Sequence, residues 1–185
     1  MAPRDRKQRF EEIYAAQYAD ILAYVRRRAG AAEDAADALA ETFAIAWRRL
    51  DDVPEGRPAR LWLYGVARRV LANGRRAESR RTELVERLGR QLALWAESAG
   101  ADGGDLGGVR EAFARLNPDD REVLALAGWE GLSSDEIATV LDCSRGAARL
   151  RLHRARKRLA KELQAAGLDV ARFGFRAVAL TKGAM

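Results

Sequence analysis

The sequence predicts an all-α protein: two small helical domains joined by a flexible linker, the second containing a helix-turn-helix. Three observations predict it. Apolar residues recur at helical spacing along most of the 185-residue chain, and no segment alternates apolar and polar residues long enough to make a sheet. A glycine-rich run from Ser98 to Gly108 divides the chain, because its glycines make helix or strand costly. Past that run, two helical patterns are separated only by Asp142-Cys143-Ser144, the shape of a helix-turn-helix. Much of the 48% hydrophobic content is alanine, which buries little area, so two small cores fit better than one large one.

The first domain is read as residues 1–97. Phe10, Ile13, Tyr14, Ile21, Leu22 and Val25 recur at helical spacing, and Arg26-Arg27-Arg28 followed by Gly30 supply a basic last turn and a glycine stop. A second helix runs from about Ala32 to Leu50. Leu39, Phe43, Ala46, Trp47 and Leu50 form its buried stripe, while Asp34, Asp37 and Glu41 fall on the opposite side. Asp51 to Pro58 is a loop, broken by prolines and a glycine. A third helix starts near Ala59, with Leu63, Val66 and Val70 as its core stripe and Tyr64, Arg68 and Arg75 facing elsewhere. Thr82 to Glu97 continues as an amphipathic stretch through Leu84, Leu88, Leu92 and Trp95.

The linker is read as residues 98–108 and the second domain as 109–164. Val109, Phe113 and Leu116 mark a short helix, and Asn117-Pro118 gives an N-cap with proline at the first helical position. The next helix carries Val123, Leu124 and Ala127 and ends near Gly128. Ser133 and Glu136 have the spacing of a capping box for a short helix, Ser134 to Leu141. Ser144 caps a final helix that runs to about Leu163, with Ala148, Leu152, Ala155, Leu159 and Leu163 as its buried stripe. The tail, residues 165–185, holds Phe173, Phe175, Val178 and Leu180 and is too apolar for a simple disordered tail. It docks on the body or contacts a partner.

Charge points to a polyanion. Lys+Arg number 33 against 27 Asp+Glu, a formal net charge of +6, which favours nucleic acid or an anionic surface without choosing between them. Placement decides. The final helix carries Arg145, Arg149, Arg151, Arg154, Arg156, Lys157, Arg158 and Lys161 against Glu162, and would repel itself without a polyanion. In a helix-turn-helix the start of the second helix enters the major groove. Arg145 and Arg149 are placed to read bases, arginine being the commonest reader of guanine, and the later cations to meet phosphates. The third helix of the first domain combines Arg68, Arg69, Arg75, Arg76, Arg80 and Arg81 with Trp62 and Tyr64. Cations interleaved with aromatics suit a partner that offers phosphates and exposed bases, although Trp62 alone reads equally well as core. The acidic stripe would repel DNA; spacing alone favours a solvated face over a basic protein partner.

Catalysis finds no constellation. The one histidine, His153, lies on the cationic helix as a phosphate-facing or boundary residue, and the one cysteine, Cys143, sits in a turn where it packs as a small hydrophobe. No disulfide, Cys/His zinc site, phosphate-binding loop or cofactor site is expected. No apolar run approaches the roughly 20 residues of a spanning helix, and none follows the basic start, so the expectation is a cytoplasmic protein without membrane insertion.

The sequence resembles the extracytoplasmic-function sigma factors, the two-domain branch of the sigma-70 family. Four stretches carry the likeness: Phe10 to Tyr14 with Leu22-Ala23-Tyr24; Glu33 to Phe43 with Ala46-Trp47; Trp62 to Arg68; and Leu116 to Leu124 with Glu130 to Ser133, Glu136-Ile137-Ala138 and Arg151 to Leu159. The resemblance implies a sigma factor that binds core RNA polymerase, directs it to specific promoters and helps melt the −10 region. Asp34, Asp37 and Glu41 would bind the beta-prime clamp coiled-coil, and the beta flap would be a further polymerase contact. Arg57, Arg60, Trp62, Tyr64, Arg68, Arg69, Arg75 and Arg76 would recognise and melt the −10 element, capturing an extruded base; unstacking that base costs a few kcal/mol. Ser144, Arg145, Arg149, Arg151, His153, Arg154 and Lys157 would read the −35 element. An anti-sigma protein is expected, as is residence on the nucleoid when active.

Two departures from the family pattern stand out. Ala40 replaces the usual Gln, which removes one polymerase contact. Ala147-Ala148-Arg149-Leu150 replaces Thr-Val, a basic residue and Ser, which puts Leu150 on the outward face of the final helix, suited to a thymine methyl or a neighbouring protein surface. The rival reading is a stand-alone helix-turn-helix regulator, which would have no use for an acidic helix next to an aromatic-basic one.

Overall fold

The structure, a computed structural model, describes residues 3–77 and 103–168. The chain divides into two compact units, Met1–Leu84 and Val85–Met185. The described residues are helical, without a strand. The first unit holds α1 (Pro3–Arg28), α2 (Ala32–Arg48), a 3-10 turn (Leu50–Asp52) and α3 (Arg57–Ala77); the second holds α4 (Gly103–Arg115), α5 (Pro118–Gly128), α6 (Ser134–Leu141) and α7 (Arg145–Ala165). The amphipathic stretch Thr82 to Glu97 and the apolar tail residues Phe173, Phe175, Val178 and Leu180 lie outside the described residues.

In the first unit each helix packs on the other two. Ile21, Tyr24, Leu50 and Leu63 are fully buried, and Phe43, Val66 and Leu71 close around them. Long arginines of α1 tie the unit to its first corner. Arg6 donates to the Trp47 carbonyl at 2.7 Å and Arg9 to the Val53 carbonyl at 2.7 Å. The first of these satisfies a carbonyl in the last turn of α2 that has no helical partner. Asp34 caps the start of the same helix, its Oδ2 accepting from the Ala31 N–H at 2.9 Å. The first helix stops just before Gly30, as the sequence indicates, but Gly30 is not left-handed: among the described residues the positive-φ glycines are Gly56, Gly131 and Gly167. The helix ends on Arg28, which is only 4% exposed, its guanidinium 3.7 Å from the Tyr24 ring centroid. Gly56, at φ 67°, turns the chain into α3 two residues before the sequence places its start.

In the second unit α4, α5 and α6 pack on α7. The Asn117 side chain caps α5, accepting from the Asp120 N–H at 2.8 Å, a contribution of about 1 kcal/mol. The capping box of α6 is complete: the Ser133 N–H donates to Glu136 at 2.9 Å and the Glu136 N–H to Ser133 Oγ at 3.3 Å. Ser144 Oγ accepts from the Ala147 N–H at 3.2 Å and opens α7. The predicted stripe Ala148, Leu152, Ala155, Leu159 and Leu163 is buried throughout.

Two expectations change here. The linker is shorter than 98–108 on its C-terminal side, because α4 already begins at Gly103. Packing overrides the helix-breaking tendency of glycine: Val109, Ala112, Phe113 and Leu116 are all buried in the core of this unit. Gly108 has a positive reason to be glycine, since a Cβ there would lie 2.8 Å from Leu168 Cδ1. The final helix runs past Leu163 to Ala165 and stops at Gly167 (φ 73°), with the Leu168 N–H on the Leu163 carbonyl and the Gly167 N–H on that of Gln164, both at 3.0 Å. That is a Schellman motif. Asp142 makes the same motif at the end of α6 with φ 51°, the Cys143 N–H reaching the Ala138 carbonyl at 3.0 Å.

Candidate nucleic-acid interface

The helix-turn-helix consists of α6, the Asp142-Cys143-Ser144 turn and α7. Because one side of α7 is buried every third or fourth residue, its other side has a fixed content: Gly146, Leu150, His153, Arg154 and Lys157 face outward and are exposed, with Arg149 and Arg151 on the flanks. Five of the predicted −35 readers, Arg149, Arg151, His153, Arg154 and Lys157, are thus on the surface. Arg145 is exposed too but ion-paired with Asp135 at the start of α6. Ser144 is engaged as the helix cap. Glu162, the one acid in α7, faces Arg115 at 3.7 Å.

Two cations of α7 do different work from that expected of a phosphate-facing row. Arg158 donates to Asp120 Oδ2 at 2.6 Å, and the Asp120 carboxylate, 9% exposed, also accepts from Asn117 Nδ2 at 2.7 Å. The pair ties the start of α5 to the recognition helix. Arg156 is half-buried, its Nε without a hydrogen-bond partner, and burial lowers its pKa from the ordinary value. An arginine so far from neutrality stays charged.

In α3, Arg57 and Arg69 are exposed, and Trp62 and Arg68 half-buried. Arg60 donates to Asp20 of α1 at 3.3 Å. The Arg49 guanidinium lies 6.0 Å from the Trp62 ring centroid, so this corner presents an aromatic and several cations together. Tyr64 is a correction. It is 3% exposed, its ring 4.9 Å from that of Tyr24, and it cannot meet a base. The buried side of α3 is wider than one stripe because both α1 and α2 cover it; it takes in Tyr64 and Ala67, and leaves Val70 half-buried. Arg75 and Arg76 lie in α3, but their side chains are outside the described residues, as are Arg80 and Arg81.

In α2 the three predicted acids divide. Asp37 is exposed; Glu41 is exposed and pairs with Arg48 at 2.8 Å; Asp34 is half-buried as the cap. Ala40 is exposed between Asp37 and Glu41. Beside this face runs an aromatic row that sequence reasoning placed in the core or passed over. Tyr14 and Trp47 are each 40% exposed and Tyr18 37%. Their rings are linked: Tyr14–Tyr18 at 5.2 Å, Tyr14–Phe43 at 4.6 Å, Phe10–Trp47 at 5.2 Å. Arg6 sits 5.3 Å from the Trp47 centroid. Helical spacing says which residues share a face, not how much of that face a neighbour covers. The recurrence of Phe10, Tyr14 and Tyr18 every fourth residue was the available signal.

These features define a helix-turn-helix DNA-binding protein with a separate three-helix unit that carries an acidic, aromatic surface. Comparison with known proteins places it further. Residues 13–81 match the model for sigma-70 region 2, and residues 106–159 that for sigma-70 region 4. The ECF RNA polymerase sigma factor SigL of Mycobacterium tuberculosis is 30% identical over 159 residues, 84% of this chain and 89% of SigL. The structure of CnrH in complex with the cytosolic domain of CnrY is similar with a TM-score of 0.59 at 26% identity, covering 84% of this chain and 88% of CnrH. The sigma factor RpoE of Bartonella quintana, solved with the anti-sigma factor NepR, shares the fold, with a TM-score of 0.56 at 23% identity over 87% of this chain and 98% of RpoE. The chain belongs to the extracytoplasmic-function sigma factors of the sigma-70 family.

Proposed function

We propose that the chain acts as a promoter-specificity subunit: it binds core RNA polymerase, directs it to a two-part promoter and helps open the downstream part. The observation that carries this is the outward face of α7, where Arg149, His153, Arg154 and Lys157 stand exposed with no acid among them, at the reading position of a helix-turn-helix. In this reading residues 109–164 read the −35 element, and residues 1–97 bind polymerase and the −10 element. Asp37, Glu41 and the row Tyr14, Tyr18 and Trp47 form the polymerase-binding face. Asp34 contributes by fixing the start of α2, being engaged there. Aromatic rings beside the acids supply contact area that Ala40 lacks, and exposed aromatics are favoured anchors of protein interfaces. Arg57, Arg60, Trp62, Arg68 and Arg69 receive the melted strand, Trp62 offering a stacking surface and the cations a path for phosphates.

The chain has no catalytic role of its own in this proposal; the polymerase makes the RNA. It works in the cytoplasm, on the nucleoid. A protein inhibitor that binds the chain, as CnrY binds CnrH and NepR binds RpoE, completes the proposal. No described helix is long and apolar enough to cross a membrane.

The test is transcription in vitro from fragmented genomic DNA, with core polymerase alone and with the purified chain, mapping RNA 5′ ends. New starts preceded by two shared elements at fixed spacing are expected. Tight, sequence-specific DNA binding by the free chain, with no new starts when polymerase is present, would sink the proposal in favour of a stand-alone regulator.

A further inference from the structure

Among the described residues, Leu150 is the most exposed large hydrophobic side chain, at 48%, and the one exposed on α7. Its position follows from the buried stripe. With Ala148, Leu152, Ala155, Leu159 and Leu163 turned inward, a rotation of about 100° per residue sets Leu150 at the middle of the opposite side. One turn earlier stands Gly146, where an added Cβ would meet nothing within 4 Å. The glycine is therefore not required by packing inside this chain, and the path to Leu150 along the helix start is bare. One turn later stand His153 and Arg154, both exposed, and then Lys157. Leu150 lies five residues after Arg145, the first residue of α7. That is about 7.5 Å along the axis, within the first turns of α7, the part of a recognition helix that lies against base edges.

A leucine at the centre of a cationic face cannot donate or accept a hydrogen bond, and its neighbours exclude an apolar partner without strong negative charge. The major groove of DNA meets both conditions. Phosphates line its rims, and its floor carries one apolar group, the C5-methyl of thymine. We infer that Leu150 is a specificity residue of this chain. Its isobutyl group meets a thymine methyl, and the −35 element has a thymine at the base pair under the middle of the outward face of α7. Arg149 and Arg154 read or clamp the adjoining positions. The inference rests on the promoter-binding reading above and adds to it the chemistry of one base.

The experiment uses the full chain assembled with core polymerase and a library of promoters randomised over the −35 element. Transcripts are selected with the unaltered chain and with Leu150→Ser, a change on an exposed side chain that leaves the buried stripe intact. The unaltered chain is expected to enrich thymine at one position. Replacing that thymine by uracil, which removes the methyl group and keeps the pairing, should lower transcription about fourfold. The Leu150→Ser chain should enrich no thymine there and ignore the uracil exchange. Equal transcription from thymine and uracil templates overturns the inference. So does an unchanged enriched element with Leu150→Ser, and a uniform loss on every template would assign Leu150 to a protein contact instead. Selective but methyl-blind transcription removes this inference and leaves the sigma-factor reading standing; no transcription from any library member removes both.

Discussion

Along α2 the side chains turned away from the core are mostly small or acidic, Ala36, Asp37, Ala40 and Glu41, with exposed Trp47 and Arg48 in the last turn, Arg48 paired with Glu41. Along α7 they are Gly146, Leu150, His153, Arg154 and Lys157. Both helices bury one stripe in a small core by the same amphipathic logic, so burial does not distinguish them. The outward chemistry does. An acidic, aromatic face is closed to DNA by repulsion and open to a basic protein surface; a cationic face free of acids has the reverse preference. Salt separates the two further, because contacts to phosphates release counterions and weaken steeply with ionic strength, whereas contacts made by ring burial do not.

The largest expected effect would break the frame that holds the α7 face in place. Arg158→Ala leaves the Asp120 carboxylate, 9% exposed, without its cation. It should cost about 2–3 kcal/mol of unfolding free energy in urea titrations. Asp120→Asn should cost less, about 1–2 kcal/mol, because Arg158 is 56% exposed and returns to water. Equal costs would mean that the pair is not the asymmetric tie described here.

The next would break the reading face itself. Arg149→Ala should lower transcription from the selected promoters by about tenfold to a hundredfold at fixed salt. Lys157→Ala should instead weaken all promoters alike and flatten the salt dependence by about one counterion. If the two variants behave alike, α7 holds DNA without reading it.

On the other side of the comparison, Trp47→Ala should weaken assembly with core polymerase by about tenfold. Transcription should return when the chain is in excess, and circular dichroism should show an intact helix content. A salt-independent loss would sharpen the contrast with α7; no loss would confine the polymerase face to the acids. The smallest effect concerns the turn between α6 and α7. Asp142→Gly removes a left-handed non-glycine residue at φ 51° and should stabilise the second unit by about 1 kcal/mol, seen as a higher melting temperature with promoter choice unchanged.

Much of the second unit was legible residue by residue. Asn117, Ser133, Glu136 and Ser144 act through backbone groups no more than three residues away, so their roles are written in local spacing. The cationic face of α7 was legible for the same reason, as the complement of a buried stripe. Gly167 was legible in principle, as a glycine past the last core leucine, although the sequence places the helix end at about Leu163 and α7 runs to Ala165.

What the sequence by itself determined is the set of helices, their caps and the sign of charge on each face, because these depend on neighbours three or four residues apart. What only the tertiary structure decided is how far each face is covered and which charges are already paired. Tyr64 lies in the core because Tyr24, forty residues earlier, stacks on it. Trp47 and Tyr14 stay exposed because the packing of α1 on α2 leaves their rings only partly covered. Arg158 is held because the fold brings Asp120 within 2.6 Å. Each of these depends on a contact between distant parts of the chain, and helical periodicity carries no information about such contacts.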